Sequence, residues 1–341
     1  MPLRLTMAFS NNQMVAPLKE GIVKPKNIDL EFVTIEGGSL FFRNLKYDEF
    51  DASEMGIPWT VRGLEMNVPG RWDWGKLPVF LSRGTGWVNL YVNTASGIEH
   101  PRDLKGKRIC VPEYNMSVCM WLRVMLKDLY GIQPSDNIWF NGRTRDQHQG
   151  GALGLEEDTP PQGVELHWLT ADQTADVMLD QGELDAAVIS AWPPSPEAID
   201  RYGGTPITGN PRLRKLFPDN GREFITEFFQ RTGAFQMNHH VIVQNRILRE
   251  HPWVAMELFN AFQSSKEVAY ERARKVSAGY LYFPSNAFQE QADIFGEDPY
   301  PLGIRAMRNS FDKYIEAMLD SGAIKTPIAM DQVYYPTTLD T

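Results

Sequence analysis

The N-terminal third of the chain alternates between strand and helix patterns, and this alternation limits the possible folds more than any other feature. Residues 3–9 form an apolar run typical of a strand, residues 28–36 alternate apolar and polar side chains, and residues 51–57 form a third, short strand pattern. The segments between them, 11–21 and 39–50, carry helix patterns. Strands separated by helices predict a parallel sheet with right-handed crossover connections, and therefore an α/β fold.

Polar residues follow the predicted strands at their carboxyl ends, which is where parallel sheets of this kind bind ligands. Ser10, Asn11 and Asn12 come directly after the first strand, and Glu54 lies at the end of the third. A carboxylate in an otherwise apolar strand either completes an internal hydrogen-bond network or contacts hydroxyl groups of a ligand, so both interpretations of Glu54 stay open. Ser10, Asn11 and Glu54 are candidate site residues.

A further strand–loop–helix unit lies at residues 103–132, with the sequence DLKGKRICVPEYNMSVCMWLRVMLKDLYGI. Its strand is predicted at 108–111, and the helix after it has its apolar residues at helical spacing. Asn115 and Ser117 lie where this helix begins. Free backbone N–H groups and the positive end of the helix dipole favour a carboxylate there. The alternative is that one of these side chains only caps the helix.

Two extended runs divide the chain into two predicted lobes. GWVNLYVN lies after Gly84 and HHVIVQN ends at Asn245, and we expect these segments to be the crossings between lobes. Residues 1–86 and 244–341 are predicted to form a discontinuous first lobe, and residues 87–243 the second.

Three more residues are candidates because of their places in this division. Arg83 lies where the chain would leave the first lobe, and it faces either the ligand or solvent. Trp192 ends a predicted strand before two prolines, and it either lines the binding site or packs in the core. His239 is either a structural histidine or a general acid–base group that works near neutral pH. His240 should face the opposite side, because side chains alternate along a strand.

Composition bounds the kind of protein. A length of 341 residues predicts about two domains, and 43% hydrophobic and 23% charged residues are ordinary for a globular protein. The net charge of −9 argues against general binding to nucleic acid or acidic membranes. Cys110 and Cys119 fit reduced thiols better than a disulfide framework. With no apparent leader or membrane span in the sequence, we expect a cytoplasmic protein.

Strong catalytic and metal-binding signatures are missing from the sequence. It contains no Walker loop, GxGxxG, HExxH or GxSxG motif. The two cysteines lie in elements expected to diverge, and the adjacent histidines His239 and His240 cannot chelate one metal from a regular strand. We expect neither a metal site nor any other cofactor.

Three segments resemble the 4,5-dihydroxyphthalate decarboxylase family, within the superfamily of type II periplasmic-binding-protein-like folds. They are DLKGKRICVPEYNMSVCMWLRVML, HHVIVQNRILREHPWVAMELFNAF and the tail from DPYPLGI to YPTTL. His239 matches the histidine of the family's Met-His-Thr pattern, with Asn238 and His240 as departures. The family's Pro-Glu-Tyr, small hydroxyl residue, Trp and Arg are matched by Pro112, Glu113, Tyr114, Ser117, Trp121 and Arg123. The resemblance covers most of the chain and implies a two-lobed α/β fold with a ligand cleft between the lobes.

The resemblance also implies a chemistry, the cofactor-independent decarboxylation of a hydroxylated aromatic carboxylate similar to 4,5-dihydroxyphthalate. A general acid protonates the ring carbon that bears the carboxylate, and a hydroxyl group para to it donates electrons. CO2 then leaves and the ring becomes aromatic again. We expect His239 to be the acid and Glu54 to contact the phenol oxygens. The helix start at Asn115 and Ser117 would anchor a neighbouring carboxylate, beside the further substrate contacts named above.

The competing interpretation is a solute-binding protein of an ABC-type uptake system, which captures a small aromatic or carboxylate anion without chemistry. Such proteins work outside the cytoplasm, so the expected cytoplasmic location favours the enzyme. In either case the expected partner is a small aromatic carboxylate rather than nucleic acid or a membrane. Self-association into a homo-oligomer is compatible with the sequence.

Overall fold

The computed structural model describes residues 1–154, 160, 162–189 and 200–341, in which the chain forms two compact units. Unit 1 comprises Met1–Arg83, Met237–Phe311 and Ile328–Thr341. Unit 2 comprises Gly84–Gln236 and Asp312–Pro327. Each unit combines a sheet with helices, so the predicted α/β fold class is confirmed.

The regular elements of the described residues follow one another along the chain as strands and helices. The strands are β1 (Leu3–Phe9), β2 (Ile28–Thr34), β3 (Ala52–Gly56), β4 (Trp74–Leu77), β5 (Leu90–Asn93), β6 (Arg108–Val111), β7 (Ile138–Asn141), β8 (Glu165–Trp168), β9 (Ala186–Val188), β10 (Leu213–Lys215) and β11 (His239–Gln244). The helices are α1 (Ala16–Lys19), α2 (Gly37–Tyr47), α3 (Ile57–Met66), α4 (Ser117–Tyr130), α5 (Gln149–Ala152), α6 (Ala175–Gln181), α7 (Arg222–Thr232), α8 (Asn245–Glu250), α9 (Trp253–Tyr280), α10 (Pro284–Phe295), α11 (Ile304–Asp320) and α12 (Met330–Val333). Within the described ranges, no helix combines the length and the apolarity that crossing a membrane requires.

The sheet of unit 1 has the strand order β2-β1-β3-β11-β4. Strands β1, β2 and β3 are parallel, as the helices between them predict. Strand β11 enters this sheet from far along the chain and runs antiparallel to both β3 and β4. Its apolar side chains Val241 and Val243 are buried in a core with Met7 of β1 and Leu258 and Phe262 of α9. The sheet therefore brings the start of β11 beside the carboxyl end of β3.

The sheet of unit 2 has the strand order β10-β5-β9-β6-β7-β8. Strand β6 is parallel to β7 and β9, and β7 is parallel to β8, whereas β5 runs antiparallel to β9 and β10. Helix α4 follows β6 after a short loop and buries its apolar face, including Trp121, Leu122 and Met125. This arrangement agrees with the strand and helix predicted within 103–132.

The units differ from the expected lobes chiefly at residues 312–327, which group with unit 2 rather than with the rest of the C-terminal segment. The cause is the second half of α11, which packs on α4. The ring of Tyr314 lies 5.4 Å from that of Trp121, and the Lys127 ammonium group pairs with Glu316 at 2.7 Å. One helix thus contributes residues to both units.

The other unit boundaries lie a few residues earlier than expected, after Arg83 and after Gln236. Residues Gly86–Asn89 form a 3-10 turn rather than the start of a strand. The backbone N–H of Asn238 already donates to the carbonyl of Ser82 at 3.1 Å, which ties the segment before β11 to unit 1. The extended run HHVIVQN forms β11 over His239–Gln244.

Candidate functional site

The pairing of β3 with β11 brings Glu54 and His239 together. His239 lies opposite Gly56 in the register, and Val241 lies opposite Glu54. Side chains two residues apart on a strand share a face, and residues directly opposite share a face as well. Because Gly56 has no side chain, the neighbour that His239 meets on this face of β3 is Glu54. The Nδ1 atom of His239 lies 2.7 Å from an oxygen of Glu54.

Glu54 is buried, with 1% of its surface exposed, and its carboxylate is fully occupied. One oxygen accepts hydrogen bonds from His239 and from the Ser82 hydroxyl. The other accepts from the Ser10 backbone N–H at 3.1 Å and from the Ser10 hydroxyl at 2.5 Å. A carboxylate has about four lone-pair sites that accept hydrogen bonds, and these four donors occupy them. Of the two interpretations of Glu54, the structure therefore fits the internal network and not a contact with phenol oxygens.

This environment keeps Glu54 ionised. Burial alone would raise the pKa of its carboxyl group, but the charge of His239 and the hydrogen bonds from His239, Ser10 and Ser82 lower that pKa to about 2. An ionised carboxylate only accepts hydrogen bonds, so the Nδ1 atom of His239 must carry the proton between them. The second ring nitrogen, Nε2, is left to interact with something else.

His239 is the accessible member of the pair. Its side chain is 23% exposed, and Nε2 makes no hydrogen bond to the residues that the structure describes. The ring packs edge-on against Phe41, with ring centroids 4.6 Å apart. A buried carboxylate that accepts a hydrogen bond from one ring nitrogen fixes the orientation of the imidazole. Such a group can donate a proton to a bound molecule.

Neighbouring polar side chains hold this pair in place. The Lys19 ammonium group donates to the Ser10 carbonyl at 2.8 Å. Burial lowers the pKa of Lys19 below its usual value, because it outweighs the opposing effect of the Glu54 charge. The Asn12 amide donates to the carbonyl of Leu81 at 3.2 Å, next to Ser82. Sequence reasoning missed Lys19 and Ser82. In the sequence, Lys19 looks like any basic residue of a surface helix. Ser82 looks like any serine of a loop, so neither carries a local signal of its role.

His240 faces the opposite side of β11, as strand alternation predicts. It is buried, and its ring bonds to the Thr60 hydroxyl at 2.8 Å and to the Tyr334 hydroxyl at 3.2 Å. Burial, with smaller contributions from the charges of Lys76 and His239, lowers the pKa of His240 well below its usual value. His240 is therefore a neutral structural residue.

Asn11 and Arg83, the remaining candidates of unit 1, are not brought to this pair. Asn11 is exposed just after β1. Arg83 is buried rather than directed to a ligand or solvent. It donates to the carbonyls of Phe80, Pro299 and Pro301, and burial lowers the pKa of its guanidinium to about 10. Arg83 thus stabilises the loop that contains Pro299 and Pro301. Trp192 lies outside the described residues.

In unit 2, Asn115 and Ser117 lie at the amino end of α4, as predicted. The N-cap residue is Met116, and its side chain supplies no capping hydrogen bond. Asn115 is 3% exposed, and its side-chain oxygen has no hydrogen-bond partner in the described residues. Ser117 is 5% exposed. The N-cap side chain therefore caps none of the backbone N–H groups in the first turn of α4, which agrees with the anion-binding interpretation.

The loop before α4 is fixed by a buried ion pair. Glu113 is fully buried and accepts hydrogen bonds from Arg143 at 2.8 Å and from the backbone N–H of Gln149 at 2.9 Å. Arg143 also bonds to Asp200 at 2.7 Å. Burial would lower the pKa of Arg143, but the charges of Asp200 and Glu113 raise it above its usual range. The charged pair anchors the turn from which α4 starts.

A metal site requires several suitable side chains in one place. Within the described ranges, no group of three or more His, Cys, Asp or Glu residues could hold a metal ion.

Comparisons with known proteins agree with the sequence resemblance. No protein-family model matches the chain. It is 27% identical over 341 residues to a curated protein from Comamonas testosteroni named 4,5-dihydroxyphthalate decarboxylase. The alignment covers 99% of this chain and 98% of that protein. A protein of the same name from Pseudomonas putida is 28% identical over 218 residues, 64% of this chain and 78% of that protein. The resemblance to proteins of this name is confirmed.

A solved structure shows the fold. The periplasmic aliphatic sulphonate binding protein SsuA from Escherichia coli matches with a TM-score of 0.51 and 11% identity, over 98% of this chain and 92% of that chain. The predicted periplasmic-binding-protein-like fold is therefore confirmed.

Proposed function

We propose that the chain is a carboxy-lyase that decarboxylates a hydroxylated aromatic carboxylate similar to 4,5-dihydroxyphthalate. The observation that carries this proposal is the pair of ionised Glu54 and His239, which leaves Nε2 of a partly exposed imidazole available to a ligand. The two similar proteins named 4,5-dihydroxyphthalate decarboxylase support the same reaction. The partner is accordingly a small aromatic carboxylate.

The proposed reaction begins with a proton on Nε2 of His239. A phenolate oxygen para to the carboxylate pushes electrons into the ring, and the ring carbon that bears the carboxylate takes the proton from Nε2. The bond to the carboxylate then breaks, its electrons restore the aromatic ring, and CO2 leaves. Solvent returns a proton to His239. In total, the carboxylate and one proton become CO2 and an aromatic C–H bond, which amino-acid side chains can promote.

In this scheme Glu54 is a positioning residue rather than a contact to the phenol oxygens. Its four hydrogen-bond donors leave it no free acceptor position for a substrate hydroxyl. Its hydrogen bond to Nδ1 holds the ring of His239 in one orientation. The role is comparable in logic to a carboxylate that orients a catalytic histidine.

The amino end of α4 is proposed to bind a carboxylate of the substrate. The amino end of this helix supports the role, because the side chain of its N-cap residue, Met116, makes no capping hydrogen bond to the backbone N–H groups of the first turn. We also propose a cytoplasmic location, which the unpaired, buried thiols of Cys110 and Cys119 support.

The function is tested with a panel of hydroxylated aromatic carboxylates, by following CO2 release and thermal stabilisation on the same samples. We expect one compound with a hydroxyl group para to a carboxylate to give both signals, and the matched compound without that hydroxyl group to release no CO2. A compound that stabilises the protein strongly, with no CO2 from any member of the panel, would favour a solute-binding protein instead.

A further inference from the structure

Helices α9 and α10 form a hairpin that exposes a concentrated apolar surface. Of the large apolar side chains that are exposed among the described residues, half lie in the segment 276–283. We call these five residues the hairpin tip: Val276 (58% exposed), Tyr280 (84%), Leu281 (52%), Tyr282 (99%) and Phe283 (74%). A continuous apolar patch of this kind on a globular protein marks an interaction surface more often than chance exposure.

The sequence of α9 continues a packing seam beyond the core of unit 1. Leu258, Phe262 and Ala269 are buried on one side of the helix. The same side continues with Ala273, Val276 and Tyr280, at the alternating spacing of four and three residues that is typical of helix–helix packing. None of these later residues is buried. This part of α9 therefore has the residue pattern of a packed helix surface, but no residue of unit 1 buries it.

Helix α10 does not cover this seam. Residues 285–295 are exposed or only partly buried. The contact between the two helices includes the Arg274 guanidinium over the ring of Phe288, at 5.6 Å from its centroid. The tip accordingly stays open on the outside of the hairpin.

The area of the tip is close to what a dimer requires. A fully exposed aromatic side chain presents roughly 150–250 Å2, so the five exposed side chains of the tip together present roughly 700 Å2. A stable interface of standard size buries roughly 800 Å2 on each partner. The tip and its adjoining helix surface are therefore large enough for two copies of the chain to associate through them.

The charges beside the tip are complementary between the two helices. The last turns of α9, residues 270–280, carry Arg272, Arg274 and Lys275 against a single acidic residue. Arg272 and Lys275 already form exposed ion pairs within the chain, with Glu20 and Glu271, so Arg274 carries the net positive charge. Residues 284–297, which contain α10, carry Glu290, Asp293 and Glu297 and no basic residue. Packing two hairpins about a two-fold axis, with α9 of one copy beside α10 of the other, places opposite charges together. The acidic α10 and the net charge of −9 disfavour an anionic membrane as the occupant.

We propose that the hairpin tip is a homodimer interface, in which two copies of the chain pack their α9–α10 hairpins together as a four-helix arrangement. The interface follows from unit 1 alone and does not depend on the proposed enzymatic function. Burial of the tip removes its aromatic side chains from water in both copies at once, because a two-fold interface uses the same surface twice.

Sedimentation velocity of the full chain over a wide range of concentration tests this proposal. We expect wild type to be a dimer and the double variant Tyr282→Ser/Phe283→Ser to dissociate, with the dissociation constant raised at least about 100-fold, as for loss of central aromatic residues from an interface. Both positions are exposed, so the variant should keep its circular dichroism and thermal unfolding.

The matched control is Tyr47→Ser, which changes an aromatic residue of similar exposure, 59%, at the end of α2. It should remain a dimer. Three results would overturn the proposal: a wild-type monomer at every concentration, a double variant that dimerises as well as wild type, or equal loss of the dimer in the control. Flotation of wild type with zwitterionic lipid vesicles that is lost in the double variant would likewise overturn it, by assigning the tip to a membrane.

Discussion

At the scale of residues, the two nitrogens of the His239 ring have different surroundings. Nδ1 is held by a buried carboxylate, whereas Nε2 makes no hydrogen bond to any described residue. We expect His239→Asn to retain ligand binding and the folded state but to lower turnover by roughly 100-fold or more, the usual scale for loss of a general acid. Single-turnover CO2 release, together with ligand affinity by calorimetry, measures both effects.

His240→Asn is the matched control for that variant, because it changes the adjacent histidine on the other face of the same strand. His240 contacts Thr60 and Tyr334 rather than the Glu54 side, so its loss should lower thermal stability and leave turnover of the folded protein nearly unchanged. Equal losses of turnover in both variants, or a full rate in His239→Asn, would remove His239 from the mechanism.

The charge of Glu54 gives a separate prediction about catalysis. Glu54→Gln keeps the shape of the side chain but replaces the carboxylate that accepts a hydrogen bond from Nδ1 of His239 by a neutral amide. We expect turnover to fall about 10-fold or more while ligand affinity changes little, because Glu54 does not contact the ligand in this scheme. Single-turnover CO2 release and calorimetry measure the two effects. Equal losses of turnover and of affinity would indicate a purely structural role.

Acid stability tests the same carboxylate without any substrate. The Glu54 carboxyl has its ordinary pKa of 4.5 in the unfolded chain and a pKa of about 2 in the folded protein. Its contribution is thus complete above pH 4.5 and is lost as pH falls toward 2. We expect the free energy of unfolding in urea to decline more steeply over this range for wild type than for Glu54→Gln. Parallel curves for the two proteins would show that Glu54 is not stabilised as an anion.

At the scale of elements, the strands and helices that carry the strongest patterns could be predicted from the sequence, but their pairing could not. β1, β2, β3 and α4 agree with their patterns, since buried parallel strands and amphipathic helices leave a local signal. The antiparallel entry of β11 beside β3 joins residues that are 185 positions apart at Glu54 and His239. No local pattern encodes such a contact. Ser82 completes the same network from a loop, for the same reason.

The amino end of α4 carries a prediction about ligand binding. Ser117→Pro removes one backbone N–H from the first turn, where proline is otherwise tolerated in a helix. We expect it to weaken binding of the aromatic carboxylate identified by the panel, measured by calorimetry, with an unchanged circular dichroism spectrum. Ser117→Ala keeps the N–H group and should weaken binding less. If both variants bind as tightly as wild type, the carboxylate is anchored elsewhere.

At the scale of the whole molecule, the α/β class follows from the order of patterns, whereas the assignment of α11 does not. The sequence of α11 is one continuous amphipathic helix, yet its residues divide between the two units. The division depends on what each half of the helix packs against, such as Trp121 for Tyr314. Such contacts between distant segments are decided by the assembled core and not by helix periodicity.

The central claim is that His239 transfers a proton to the ring carbon that loses its carboxylate. The most direct measurement is a single turnover in D2O of the best substrate from the panel, with CO2 and the aromatic product analysed by mass spectrometry and NMR. We predict one CO2 and one deuterium, at the former carboxylate carbon, for each product molecule formed by wild type, with formation of that product roughly 100-fold slower in His239→Asn. Tight binding without CO2, or an equal rate of deuterated product from His239→Asn, would contradict the claim.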